Sequence, residues 1–363
     1  STKMGSDSEQ KRVLSASSLY IRVIFLALAT SLLLIQSGLV GRRGKITISP
    51  ATERRKPAAP VSLVKQQHEP KLQRCALIFF GLPKVFRKIV LPSIKKHIID
   101  INPTCDVYVH AYNFTVAPEN PRNGEIGNEA LDVTEIYDIF DGFKVNSRMY
   151  PPPPSVGRNL IITSDEQFLR DRDLKHYQKY FPYEYFWDFP TSLNNMIRQW
   201  HSIGLAWDLM EKREKEDKVH WWNEKRGISP PQMTKIFTSP VYERVGFFRS
   251  DVEYRSPIDI SNGDAVVPRF NNEKFYMTDR MFYGLRHFAG RWQGNTRFDF
   301  IEIYLKSSFG KRYKLHSERF LYYLFRFMPL TFNGNICFVR VRANGNFQNE
   351  DCKIKLANRG VIN

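Results

Sequence analysis

The chain is 363 residues long, 42% hydrophobic and 14% aromatic, with a formal net charge of +17, enough for one large domain of roughly 250–300 residues with appendages. About half of the positive excess lies in residues 1–74, where Lys and Arg outnumber Asp and Glu by 13 to 4. The rest carries no stripe of Lys and Arg interleaved with aromatics, so composition points to a small anionic ligand rather than nucleic acid, and the absence of a Cys-x-x-Cys argues against structural zinc.

In chain order, residues 1–18 form a short tail. Val23 to Val40 runs 18 residues without a charge, close to the ~20 that span a bilayer as a helix. We read residues 19–40 as a transmembrane signal anchor; a cleaved signal peptide is the alternative, although its apolar region usually runs only about 7–15 residues. Basic residues flank both ends, Lys11, Arg12 and Arg22 before and Arg42, Arg43 and Lys45 after, so the positive-inside rule does not orient the span. The large domain that follows and the sequon Asn113-Phe114-Thr115 favour a type II, lumenal arrangement. Residues 41–73, with Pro50, Pro57, Pro60 and Pro70 among basic and small residues, read as a disordered stem.

The globular part, 74–363, opens with a buried strand from Cys75 to Gly81. A helical pattern follows from Pro83 to about Ile99, with Val85, Ile89, Ile94 and Ile98 on one face and a kink at Pro92, then a second strand from Asp106 to Tyr112. Strand, helix and strand in so short a span predict a βαβ unit and a parallel sheet. Gly81 marks where a ligand backbone could approach, or a plain turn. Beyond Asn113 the signals weaken: a third strand over Phe143 to Asn146, a rigid spacer over Pro151 to Pro154, and a charged surface helix from Asp165 to Tyr180. Thr191 or Ser192 caps a stronger helix to about Lys218, packing Met196, Ile197, Trp200, Ile203 and Trp207 on the sheet and leaving Gln199 and His201 at its surface. Glu211 to Lys218 alternates charges, and Trp221 to Pro231 reads as an insertion loop. Towards the end, Phe298 to Ser308 and His316 to Phe327 read as helices and Ile336 to Arg342 as a closing strand. Four cysteines allow three pairings. Cys75 and Cys105 begin strands expected to be neighbours, and Cys337 and Cys352 flank a loop containing Asn344-Gly345, so these are the two disulfides we predict.

The most informative stretch is Tyr242 to Ile260. Val245 to Phe248 form the continuous apolar run of a strand covered on both faces, and Arg249, Asp251 and Glu253 follow at its carboxyl end, the edge where open α/β sheets bind ligands. Two carboxylates two residues apart in a turn can reach one hard divalent cation. The plainer reading of the same residues is a solvated acidic turn stopped by Pro257.

With Pro257-Ile258-Asp259, a short strand over Asp264 to Phe270, and Thr278-Asp279-Arg280-Met281-Phe282-Tyr283-Gly284, the stretch resembles nucleotide-sugar glycosyltransferases of the GT-A type. The likeness is clearest from Tyr242 to Phe325 and weaker from Cys75 to Asn113. Asp251-Val252-Glu253 stands at that family's DxD motif, with Glu253 departing from it, and the segment from Thr278 stands at its Asn-Asp-Arg-Phe-like segment. The resemblance implies a GT-A-like α/β domain with a mainly parallel central sheet and flanking helices, in a protein of the Golgi membrane. It implies a hexosyl or pentosyl donor held as a nucleotide-diphosphate sugar and a glycan or glycoprotein acceptor. Phe80, Gly81, Arg249, Asp251 and Arg280 would contact the donor; Asp251, Glu253 and His316 would hold Mn²⁺ or Mg²⁺ against the diphosphate, where charge builds as the glycosidic bond breaks. If the reaction inverts the anomeric centre, Asp279 or Glu318 would take the acceptor's proton. Asp279 and Glu318 also read as acidic first-turn residues of helices, and His316 as an exposed residue at a helix start. Two other classes fit the same outline: a membrane-anchored sulfotransferase, for which Gly81-Leu-Pro-Lys-Val-Phe-Arg is a poor phosphate loop, and a non-catalytic carbohydrate-binding scaffold.

Overall fold

The strands of the domain are apolar on both faces, which dictates a sheet buried between two layers. The computed structural model describes residues 74–120, 125, 127–140, 159–180, 189–224, 240–269 and 276–348. The anchor, the stem, the strand expected at Phe143 to Asn146, the spacer at Pro151 to Pro154 and Cys352 lie outside them. Among the described residues, no helix is long and apolar enough to cross a membrane.

β1 (Cys75–Gly81) is central and parallel to β2 (Asp106–Tyr112) on one side and β4 (Arg244–Arg249) on the other; β3 (Leu160–Thr163) extends the sheet beyond β2, again parallel. Past β4 come β7 (Met281–Leu285), antiparallel, then β6 (Ala265–Pro268) and β8 (Thr331–Asn333), which return to the common direction. The result is a mixed α/β fold with a mostly parallel seven-stranded sheet, as the sequence predicts. A small second sheet joins β5 (Val252–Tyr254), β9 (Phe338–Val341) and β10 (Phe347–Gln348).

Alternation along β1 sends Ala76, Ile78 and Phe80 to one face and Cys75, Leu77 and Phe79 to the other. The first face packs on α5 (Thr191–Glu224), α6 (Arg286–Trp292), α7 (Gly294–Lys306) and, beyond the short α8 (Ser308–Tyr313), α9 (Ser317–Phe325). The second packs on α1 (86–99), on α2 (Val133–Phe140, a 3₁₀ helix) and on the small sheet. α5 buries Met196, Ile197, Trp200, Ile203 and Trp207 as expected and runs beyond Lys218 to Glu224. In α1 the buried face is Phe86, Val90, Ile94 and Ile98; Val85 and Ile89, expected there, are only half-buried. Both ends of α1 wind with π geometry around the α turn Leu91–Ile94, and the wider turn shifts the buried period to four residues. The charged segment Asp165 to Tyr180 divides into α3 (Asp165–Asp171) and α4 (Leu174–Gln178), each with its own cap, Ser164 and Asp173.

Cys75 and Cys105 are bridged, at 4.5 Å between Cα atoms across paired strand starts. Closing a loop of 30 residues, the bridge contributes about 3–4 kcal/mol in the chain-entropy account.

Two corrections concern the region around the site. The segment from Thr278, read as a helix opened by Asp279, is the lead into strand β7. Asp251 and Glu253 do not share one tight turn: Asp251 lies in the turn after β4, whereas Glu253 is inside β5, paired with Val339 of β9.

Candidate active site

At its C-terminal end β1 runs into Gly81, whose φ of +111° lies in a region side chains rarely adopt. A Cβ there would meet nothing within 4 Å, so the glycine leaves open space at the sheet edge. Its backbone N–H donates to Ser202 Oγ of α5 at 3.0 Å, and Ser202 Oγ lies 2.7 Å from His110 Nδ1 on β2. His110 Nε2 is 2.9 Å from Thr163 Oγ1 at the end of β3, so one polar chain ties the ends of three strands to α5. His110 is fully buried, and burial pushes its pKa down to about 3, leaving a neutral ring that joins two hydroxyls. Beside it Tyr112 donates to the Arg198 carbonyl at 2.9 Å and sits 2.9 Å from His201 Nδ1. Burial holds His201 at about 4, Arg172 adding to the effect and Asp171 opposing it. His201 is thus a core residue of the site's underside rather than helix surface as expected.

Phe80, expected to face the donor, buries its ring against Trp292 at 6.1 Å between centroids; at the edge it offers only its carbonyl, which accepts from Ser250 N at 2.9 Å. Alternation explains this, since residue 80 falls on the face covered by helices.

One strand over, Arg249 donates from Nε and a terminal nitrogen to the two carboxylate oxygens of Asp251, at 2.8 and 2.7 Å. Burial alone would push Asp251 up, but the charge and hydrogen bonds of Arg249, with Lys84 and Arg342 behind them, hold it down to about 2. Arg249 is raised despite its burial, by Asp251 first and also by Asp279. Asp279 is half-buried; burial pushes it up, yet the Ser317 hydroxyl and the cations Arg249, Arg280 and Arg297 together hold it below the usual carboxylate range. Its carbonyl accepts from Gln199 Nε2 at 2.9 Å, so Gln199 too supports the site rather than facing solvent. Ser317 opens α9, which brings His316 and Glu318, both buried, beside this group.

The expected metal ligands do not converge. Asp251 is held at both oxygens by Arg249, Glu253 accepts from Arg255 Nε at 2.7 Å, and His316 is buried at the cap position of α9. Among the described residues no group of three or more His, Cys, Asp and Glu could hold a metal ion. A hard cation needs carboxylate oxygens turned towards it, and these are turned to guanidinium groups. This donor set does not fit a divalent cation, and no step below passes through one.

Sequence reasoning did not find four further residues, Lys84, Arg342, Glu125 and His110. Lys84 follows β1, Arg342 follows β9, and both reach the buried carboxylate of Glu125: Lys84 Nζ is 2.5 Å from Oε1 and an Arg342 terminal nitrogen 3.6 Å from Oε2. Each is one residue in a poorly patterned stretch, and only the fold brings them together. His110 left a faint signal, a polar residue inside the apolar run of β2. A cavity of about 510 Å³ opens at the same edge beside β3, lined by Asn113, Thr163, Gln167 and Asp171 among others.

No protein-family model matches the chain, and no curated protein matches it. Among solved structures it is similar to a crystal structure of the galactosyltransferase LgtC in complex with donor and acceptor sugar analogues. The identity is 9%, over 69% of this chain and 70% of that one, with a TM-score of 0.29, a likeness too slight to carry weight on fold or function.

Proposed function

We propose that the chain is a glycosyltransferase that moves a sugar from a nucleotide-diphosphate donor to a hydroxyl acceptor. The observation that supports this most is that β4 pairs with β7, Phe248 opposite Met281, so that Asp279 ahead of β7 and the Arg249–Asp251 pair after β4 come to one sheet edge, which joins two segments of the family resemblance beside the open backbone of Gly81. At the same edge Thr163 is linked to Gly81 through His110 and Ser202, which holds the ends of β1, β2 and β3 together.

In this reading the acceptor oxygen bonds to the anomeric carbon while the bond from that carbon to the diphosphate oxygen breaks, its electron pair staying on the diphosphate. The acceptor's proton passes to Asp279, which its neighbouring cations keep ionised. Glu318, one residue after the Ser317 that binds Asp279, is the second carboxylate in reach of this role. The test is a nucleotide-sugar screen on the full chain in detergent, by thermal shift and sugar transfer. Asp279→Asn should keep donor affinity and lose about 10²–10⁴ in kcat. Undiminished turnover would remove Asp279 from the role; failure of every nucleotide sugar to bind would sink the reading.

A further inference from the structure

The charges at the Asp251 edge do not balance locally. Arg249, Lys84, Arg342, Arg280 and Arg297 face Asp251, Glu125 and Asp279, five cations against three carboxylates, and the part around Asp251 comes from the ends of β1, β4 and β9 and from the loop holding Glu125. Lys84, Asp251, Glu125 and Arg342 are each at least nine-tenths buried. Three buried polar atoms in this region have no hydrogen-bond partner among the described residues: two donors, Arg342 Nε and the fully buried Ser250 Oγ between Arg249 and Asp251, and one acceptor, Glu125 Oε2. A surplus of buried positive charge with donors left over is costly in isolation and is relieved by an anion.

We infer that this cluster binds the donor's diphosphate through side-chain cations and needs no divalent metal. Lys84, Arg249 and Arg342 supply the positive charge that the departing diphosphate requires. Asp251 is a positioning residue: its two oxygens hold the Arg249 guanidinium in one plane, leaving the remaining terminal nitrogen to donate elsewhere. A dication placed at Asp251 would have to displace this fork and would lie against three cations already present. Glu125 accepts from Lys84 at one oxygen and lies in ion-pair range of Arg342, 3.6 Å, at the other. The inference rests on the donor reading proposed above and specifies how that same site handles charge.

The experiment uses the full chain in detergent, stripped with a chelator. Inorganic pyrophosphate and a panel of nucleoside diphosphates are titrated by thermal shift in excess EDTA, and again with Mn²⁺ or Mg²⁺. A diphosphate that binds only the folded protein raises its apparent melting temperature. The expected result is equal stabilisation with and without metal. Lys84→Met and Arg342→Met should each weaken binding by about 10- to 100-fold, the usual loss for a charged contact, and Lys84→Arg should restore most of it. Because a lone Met could leave Glu125 uncompensated, Lys84→Met is also made with Glu125→Gln; that double variant should fold and still bind weakly. Binding that appears only with Mn²⁺ or Mg²⁺ overturns this inference and leaves the glycosyltransferase reading standing. Absence of diphosphate binding under both conditions overturns the two together.

Discussion

Two buried histidines should make the domain lose stability between pH 7.5 and pH 5. His110 and His201 are held neutral, at about 3 and about 4, by burial first. His110 is enclosed by Ser202, Thr163 and His201, while His201 faces Tyr112, Phe168, Asp171 and Arg172. Their unfolded values lie near 6.5, so below that pH the unfolded chain takes up protons that the folded chain refuses. For a base with a depressed folded pKa, stability is full above the unfolded value and falls as pH drops towards the folded one. The linkage relation gives a loss of about 2 kcal/mol for each histidine on going from pH 7.5 to 5, hence about 4 kcal/mol for the pair. The lowered carboxylates Asp251 and Asp279 act in a different window, since their contribution is lost only as pH falls below about 4. Urea unfolding followed by tryptophan fluorescence at both pH values measures the difference. His110→Gln, which keeps hydrogen-bonding groups near Ser202 and Thr163, should halve the loss. If His110→Gln and His201→Gln each retain the full wild-type loss, the buried rings are not its source and the neutral polar chain beneath Gly81 is misassigned.

Gly294→Ala should destabilise the domain by more than about 3 kcal/mol, because a Cβ at this position would lie 1.8 Å from the Trp200 carbonyl oxygen, where α7 meets the backbone of α5; a chemical-denaturation midpoint shifted by less than a third of that would show that the helices can part. Asn113 is exposed just beyond β2, as a glycosylation acceptor requires. If the domain is lumenal, N-glycosidase treatment should increase the protein's mobility on a gel and Asn113→Gln should abolish the shift; an unaltered mobility in secretory-pathway expression would remove the glycan.

The elements legible in the sequence are those whose burial writes a continuous or strictly periodic pattern. β1, β2 and β4 are strands of six or seven residues with mostly apolar interiors, and α5 carries Trp200, Ile203 and Trp207 at helical spacing. β7 was misread because Thr278-Asp279 before an apolar run is also a good helix start, and periodicity alone does not separate a buried strand from a buried helix. Its neighbours decide: β4 and β6 pair with it on both sides, and Gly284 allows the Asp264 carbonyl to approach where a Cβ would lie 2.1 Å away. Glu214 illustrates the converse. In the sequence it is one charge in an alternating run, yet in the fold it is buried, accepting from the backbone N–H groups of Val241 and Tyr242 and pairing with Arg286. Nothing local marks it, since all three partners lie on other elements.

At the candidate site the sequence marks Gly81, Arg249, Asp251 and Asp279, and the fold brings them to one sheet edge; the partners of the acidic pair follow from local geometry. Side chains two residues apart on an extended chain point the same way. This places the guanidinium of Arg255 beside the carboxylate of Glu253, while the turn after β4 brings Asp251 back to Arg249, and the structure shows both pairs closed, at 2.7 Å in each case. A metal reading requires these carboxylates to turn from their own neighbours towards a common point, against two arginines already in reach. The turn instead sets Asp251 to hold Arg249 at the sheet edge. The positive charge beyond that pair comes from Lys84 and Arg342, which are distant in sequence and meet only because β1 and β9 both end at this edge.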